Sequence, residues 1–180
     1  MTDADADADV LPPAMLLDRA IDGSDAAFAQ LYRDHAPALY ALALRMTGNR
    51  ATAEDVVHDC FLRALRSSRH FRGDAAPRTW LTRITINLAI DRIRQHRQWQ
   101  VEPDAIAALA TLPSEDHDTA AALGLLAGLS PAARSVVWLH EMEGHSHAEI
   151  ATLFGTSESW SKSILSRSLK RLRATLEHDR

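Results

Sequence analysis

Apolar positions along the chain recur at spacings of three and four and never settle into strict alternation, so the pattern predicts helices throughout and no strand. Phe28, Leu31, Tyr32, Leu39, Leu42 and Leu44 form the first long series, with Ser24 as its N-cap and Gly48 as its stop. Pro37 falls inside this series and is expected to kink or divide it, because proline removes a backbone donor. A second helix is predicted from Thr52, where Thr52 and Asp55 have capping-box spacing, with Val56, Val57, Cys60, Phe61, Ala64 and Leu65 on its apolar side. A third is predicted over 78–97, with Pro77 in its first turn and Leu81, Ile84 and Leu88 on one face. At 100° per residue Arg83, Asn87 and Arg94 fall within about 40° of each other, away from that face.

The period then lapses. Residues 99–120 hold two prolines and a cluster of acids, which predicts a flexible linker, and a short helix is expected near 119–127. Ser130 followed by Pro131 is a helix start, and Gly144 is the expected stop. Ser146 and Glu149 form a capping box for the next helix, which ends at Gly155. A last helix begins after Ser157 and runs to about Leu176. The "FGTS" between these two helices fits a helix-turn-helix, because a glycine at positive φ permits the sharp change of direction. On the last helix Leu165, Leu172 and Leu176 define an apolar stripe that also contains Ser161 and Ser168. Ser159, Ser163, Arg167, Lys170 and Arg171 lie roughly opposite, mixing charge with small donors as a groove-facing surface does. Trp160 and Ile164 sit at the boundary, read first as the edge of the core and second as contacts to a thymine methyl or a partner protein. The predicted fold class is all-α, as two small helical domains at 25–98 and 121–180, preceded by a tail at 1–24.

Charge changes this picture more than composition does. A chain of 180 residues with 46% hydrophobic content can core either one ordinary domain or two small ones. Its net charge of -4 argues against a polyanionic partner, but the sign varies by block. Residues 1–25 carry seven aspartates against Arg19, and the repeat "MTDADADADV" reads as a disordered, solvated tail. Residues 61–98 carry nine arginines against two aspartates. Residues 99–143 carry seven acids against Arg134, and residues 158–173 carry five bases against Glu158. Two basic blocks separated by an acidic one predict two separate contacts to a nucleic acid. The lone Cys60 forms no internal disulfide and reads as a small core residue. With no leader pattern and no apolar run near the roughly 20 residues a span needs, a cytoplasmic protein without membrane insertion is expected. No nucleophile–base arrangement and no phosphate-binding glycine loop is present, so neither enzymatic activity nor a cofactor is expected.

Taken together, "FAQLYRDHAPALYALALRMTGNRATAEDVVHDCFLRAL", "FRGDAAPRTWLTRITINLAIDRIRQHR" and "LSPAARSVVWLHEMEGHSHAEIATLFGTSESWSKSILSRSLKRLR" resemble the two domains of extracytoplasmic-function (group 4) sigma factors of bacterial RNA polymerase. The resemblance covers most of the chain. It implies that 25–98 is sigma region 2, which binds the polymerase core and opens and reads the -10 element, and that 121–180 is sigma region 4, which reads the -35 element. On this resemblance Asp55, His58 and Asp59 dock on the clamp of the polymerase β' subunit, and region 4 meets the β flap. Arg72, Trp80, Arg83, Asn87, Arg94 and Arg97 fall in the promoter-opening segment, where arginines bind phosphates and an everted base is held. Ser159, Trp160, Lys162, Ser163, Ile164, Arg167, Lys170 and Arg171 enter or flank the major groove at -35. The resemblance also implies an anti-sigma factor as partner. The chain departs from the family where Ser161 replaces a β-branched residue, Trp160 a threonine and Ile164 an arginine, and fewer charges weaken phosphate contact. Two rival readings stand beside it: a stand-alone helix-turn-helix regulator, and a metal-responsive protein using His140, His145 and His147, whose spacing is not that of HExxH.

Overall fold

The computed structural model describes residues 13–66, 76–95, 126 and 128–178. Among these residues there are seven helices and no strand: α1 Pro13–Ile21, α2 Asp25–Thr47, α3 Arg50–Arg66, α4 Pro77–Gln95, α5 Pro131–Glu141, α6 His147–Phe154 and α7 Glu158–His178. The acidic repeat, the expected linker and most of the helix expected near 119–127 lie outside the described residues; of that helix Leu126 is helical and buried.

The expected helix ends hold where a side chain or a glycine makes the cap. The Ser24 hydroxyl accepts from the Ala27 N–H at 3.3 Å, and Gly48 closes α2 at φ +68° with its N–H on the Leu44 carbonyl. Four expectations change. α2 runs unbroken through Pro37, which is exposed, as is Arg33, the residue whose carbonyl a proline four positions on leaves without its intrahelical donor. α3 starts at Arg50 rather than Thr52: Asn49 is its cap, and the Asn49 side-chain oxygen Oδ1 accepts from both the N–H and the hydroxyl of Thr52 at 2.9 Å. The tail assigned to 1–24 contains α1, in which Leu16, Leu17 and Ala20 lie one turn apart on one face and are buried. α5 stops at Glu141, ahead of Gly144, with Met142 as its C-cap.

Two apolar clusters result. The first lies among α1, α2, α3 and α4 around Leu17, Leu31, Cys60, Phe61 and Leu81, where the Phe28, Tyr32 and Phe61 rings pack with centroids 4.7–6.2 Å apart. Truncating a leucine as buried as Leu17 or Leu31 costs about 2–5 kcal/mol. The second cluster crosses from one half of the chain to the other: Leu44, Met46 and Val56 join Ile86, Ile90 and Ile93 of α4 and Trp138, Leu139, Ile150, Phe154 and Leu165 of α5, α6 and α7. The two halves therefore share a core, with α2 against α5 and α4 against α6.

Candidate nucleic-acid interface

The α6–turn–α7 unit is held at each joint by local hydrogen bonds. The Ser146 N–H and hydroxyl both donate to Glu149 at 2.8 Å while the Ser146 oxygen accepts from the Glu149 N–H, so both members of the capping box are satisfied. Those bonds hold the Glu149 carboxyl below its ordinary value, with a smaller contribution from the charges of His145 and Arg83. Gly155 turns the chain at φ +62°, and the Thr156 N–H donates to the Ala151 carbonyl at 2.9 Å. The Ser157 hydroxyl then accepts from the Trp160 N–H at 3.2 Å and starts α7.

α7 divides as its wheel predicts. Ser161, Leu165 and Ser168 are buried, Leu172 is half-buried, and Ser159, Lys162, Ser163, Arg167, Lys170 and Arg171 are exposed. Leu176 departs from the stripe and is 49% exposed, because α7 extends beyond the packed part of the module. Trp160 and Ile164 are half-buried against the core, the Trp160 ring 5.3 Å from that of Phe154, in the place of a core edge. Lys162 pairs with Glu158 at 2.6 Å, one turn back, which lowers the Glu158 carboxyl.

Ser161 has a polar partner that the spacing does not reveal. Its hydroxyl is 3.0 Å from Nδ1 of His147, whose ring stacks on His140 at 4.4 Å and 16°, and His140 Nδ1 in turn lies 2.8 Å from the His145 carbonyl. A buried hydroxyl in an apolar stripe is tolerated once it is hydrogen-bonded. The same contacts engage the histidines weighed as metal ligands: the rings stack face to face, and no metal-binding group of three or more His, Cys, Asp or Glu occurs among the described residues.

In the first half Arg83, Asn87 and Arg94 are exposed along one side of α4, and Trp80 is half-buried against the first cluster. Arg72 and Arg97 lie outside the described residues. Asp55 and His58 are exposed on α3; Asp59 is held at 2.6 Å by Arg92 of α4. α4 is buried on two sides rather than one, Leu81 and Ile84 toward the first cluster and Ile86 and Ile93 toward the second.

The residue that sequence reasoning missed is Arg134, 1% exposed at the junction of the halves. Its Nε donates to the Arg45 carbonyl, Nη2 to the Met46 carbonyl at 3.3 Å and Nη1 to the Leu129 carbonyl at 3.5 Å; the Ser135 hydroxyl adds a second bond to Met46 at 3.4 Å. The guanidinium thus sits at the C-terminus of α2, where free carbonyls and the helix dipole favour a cation. Burial pushes it down to about 10, which leaves it charged at neutral pH. Beside it the Arg45 guanidinium stands 4.5 Å over the Trp138 ring, and the Trp138 indole N–H donates to Glu143 at 3.1 Å. The available signal was a lone arginine in the apolar run "PAARSVVWL".

Residues 31–99 match the family Sigma-70 region 2, and residues 120–172 match Sigma-70, region 4. The ECF RNA polymerase sigma factor SigM of Mycobacterium tuberculosis is 32% identical over 160 residues, covering 88% of this chain and 82% of its own. This chain belongs to the ECF sigma factors. SigL of the same organism is 36% identical over 154 residues, covering 82% of this chain and 87% of its own. Among solved structures CnrH, determined with the cytosolic domain of CnrY, aligns with a TM-score of 0.52 at 26% identity over 93% of this chain and 99% of its own. The sigma factor is an alternative specificity subunit that binds RNA polymerase and directs promoter-specific initiation. The region 2 match displaces the stand-alone regulator, which has no use for a polymerase-binding module.

Proposed function

We propose that this sigma factor reads the -35 element with the exposed side of α7 and the -10 element with the exposed side of α4, while α3 docks on the polymerase. The observation that carries the reading is the division of α7: Ser159, Lys162, Ser163, Arg167, Lys170 and Arg171 share the solvent side of a helix that enters from a capped turn. Trp160 and Ile164 flank that surface and set how closely the helix edge approaches the groove wall. Arg83, Asn87 and Arg94, with Arg72 and Arg97 and with Trp80 at the edge, serve the -10 strand by phosphate contact and base capture. Asp55 and His58, with Asp59 shared by Arg92, offer an acidic surface to the β' clamp, and region 4 takes the β flap. Residues 99–120 tether the two readers, so binding of one raises the effective concentration of the other.

The protein works in the cytoplasm, catalyses nothing itself and needs no cofactor or metal. An anti-sigma factor is its expected inhibitor, supported by the complex of CnrH with the cytosolic domain of CnrY. Run-off transcription with core polymerase and a candidate promoter set tests the reading. Promoter-dependent product that falls at least tenfold in Arg167→Ala and in Arg83→Ala supports it. Product from both variants at the unsubstituted level overturns the residue assignment.

A further inference from the structure

Between α4 and α6 lies a cleft of about 430 Å³, within the size range of sites that hold small molecules. Its apolar lining comes from Ile86 of α4 and from Ala148 and Leu153 of α6, which suits a flat, largely apolar body. Its polar groups are of opposite kinds. Arg83 and Asn87 stand on the α4 wall and Glu149 on the α6 wall; the Arg83 charge reaches Glu149, yet no ion pair joins them. Hydrogen-bonding capacity is left over on both walls. Both bonds from Ser146 go to Oε2 of Glu149, so Oε1 keeps its lone pairs for another donor. Among the described residues neither the Arg83 guanidinium nor the Asn87 amide has a hydrogen-bond partner, and both are exposed.

Free donors facing a free anionic acceptor across an apolar gap match a planar ligand whose edge carries an acceptor beside a donor. A lactam has that edge, with its carbonyl for Arg83 and the adjoining N–H for Glu149. Guanine extends it on both sides: O6 and N7 form the pair that arginine grips, and the N1–H and 2-amino group together face a carboxylate. We infer that this cleft binds a small 6-oxopurine compound such as guanosine, with O6 toward Arg83, the N1–H and amino group toward Glu149, and the ring against Ile86 and Leu153. Adenine is the mismatch of the same size. Its donor at position 6 and acceptor at position 1 would set N–H against N–H at Arg83 and lone pair against lone pair at Glu149. A simple anion is also disfavoured, because Glu149 repels it. A bound ring touches both walls, so it stabilises the contact of α4 with α6 by its own binding free energy. It also occupies Arg83 and Asn87, and its effect on promoter reading, unlike the site itself, rests on their assignment to the -10 element.

Equilibrium dialysis of the full chain against tritiated guanosine tests the site. Guanosine is uncharged, so attraction of phosphate to basic side chains contributes nothing to its retention. One saturable site per chain is expected, with adenosine held at least tenfold more weakly. Arg83→Gln and Glu149→Gln should each lose at least tenfold in guanosine affinity; glutamine also serves at the third position of a capping box, so α6 keeps its start. Ala148→Leu, at an exposed position on the cleft wall, fills the space with a good helix former and should abolish binding with the far-ultraviolet dichroism unchanged. Absence of saturable guanosine binding overturns the inference, as does equal retention of adenosine. Undiminished binding by a folded Ala148→Leu, or by Arg83→Gln and Glu149→Gln together, overturns the location. Run-off transcription with Arg83→Ala reads the -10 assignment separately: full product there sinks the assignment and leaves the dialysis result standing.

Discussion

Gly48→Ala should destabilise the protein by two separable routes. The first is backbone strain: at φ +68° an L-residue costs about 1–2 kcal/mol, reduced by about 0.4–1 kcal/mol because alanine also restricts the unfolded chain. The second is the loss of the Arg134 hydrogen bonds, since the new Cβ would lie 2.4 Å from Nη2 and 3.0 Å from Cζ of Arg134 and the guanidinium must leave. Its bonds to the Arg45 and Met46 carbonyls go with it, and bonds to a charged group contribute about 1.5–3 kcal/mol each before solvent returns part of that. A total near 3 kcal/mol follows, about 2 kcal/mol of it from the Arg134 bonds. Gly155→Ala is the internal reference: its φ is +62° and its nearest neighbour would be Arg94 at 3.4 Å, ordinary contact, so it should show strain alone, about 1 kcal/mol. Urea unfolding followed by far-ultraviolet dichroism measures both, and a double-mutant cycle isolates the second route. In an Arg134→Ala background Gly48→Ala should cost no more than Gly155→Ala does. A Gly48→Ala penalty equal within about 0.5 kcal/mol in the two backgrounds refutes the steric link between Gly48 and Arg134.

Three further outcomes are expected. Burial pushes the Cys60 thiol up to about 11, with Thr85 and Arg63 pulling weakly the other way, so a disulfide reagent at pH 8 should leave it unmodified until urea unfolds the chain; rapid labelling of the folded protein contradicts its placement. The Glu149 carboxyl titrates below its unfolded value, so its contribution to stability is present above that value near 4.5 and is lost as pH falls through the lower folded value; melting curves of Glu149→Gln and the unsubstituted protein should differ at pH 6 and converge in acid, and a constant gap refutes the capping role. Glu158→Gln releases Lys162 from its 2.6 Å ion pair, which should steepen the salt dependence of -35 duplex binding by roughly one phosphate contact, a slope change of about 0.9, whereas Arg167→Ala should flatten it by a similar amount; identical slopes exclude both residues from phosphate contact.

The parts of the fold that were legible in the sequence are those where the cause lies within a few residues. Ser24, Ser130 and Ser146 each accept from the N–H three residues on, and Gly48 and Gly155 each take positive φ, because caps and stops are local chemistry. The division of α7 was readable for the same reason, since its faces follow from 100° per residue. What failed depended on distant partners. α1 is too short a segment for periodicity to outweigh its acidic setting, and it is α2, α3 and α4 that make Leu16 and Leu17 worth burying. Ser161 looked like a defect in the stripe because the compensating group, His147, is fourteen residues away on another helix. Arg134 could not be placed from its neighbours, since two of its three acceptors are 88 and 89 residues away.

α4 shows why the candidate site was only half readable. A helix that serves one core needs one apolar stripe, and Leu81, Ile84 and Leu88 supply it. Ile86, Ile90 and Ile93 lie off that stripe as a second apolar side; they are buried in the cluster that the end of α2 and the start of α3 share with α5, α6 and α7. That second side runs beside Arg83, Asn87 and Arg94, and α6 lines a cleft with Arg83 and Asn87 while the glycine at its end lies near Arg94. At 100° per residue the mean directions of Ile86, Ile90 and Ile93 and of Arg83, Asn87 and Arg94 are about 70° apart, with Ile90 about 20° from Arg83. The polar side of α4 and its second apolar side are therefore neighbours on one helix, which is why a reading with a single apolar stripe could not separate them.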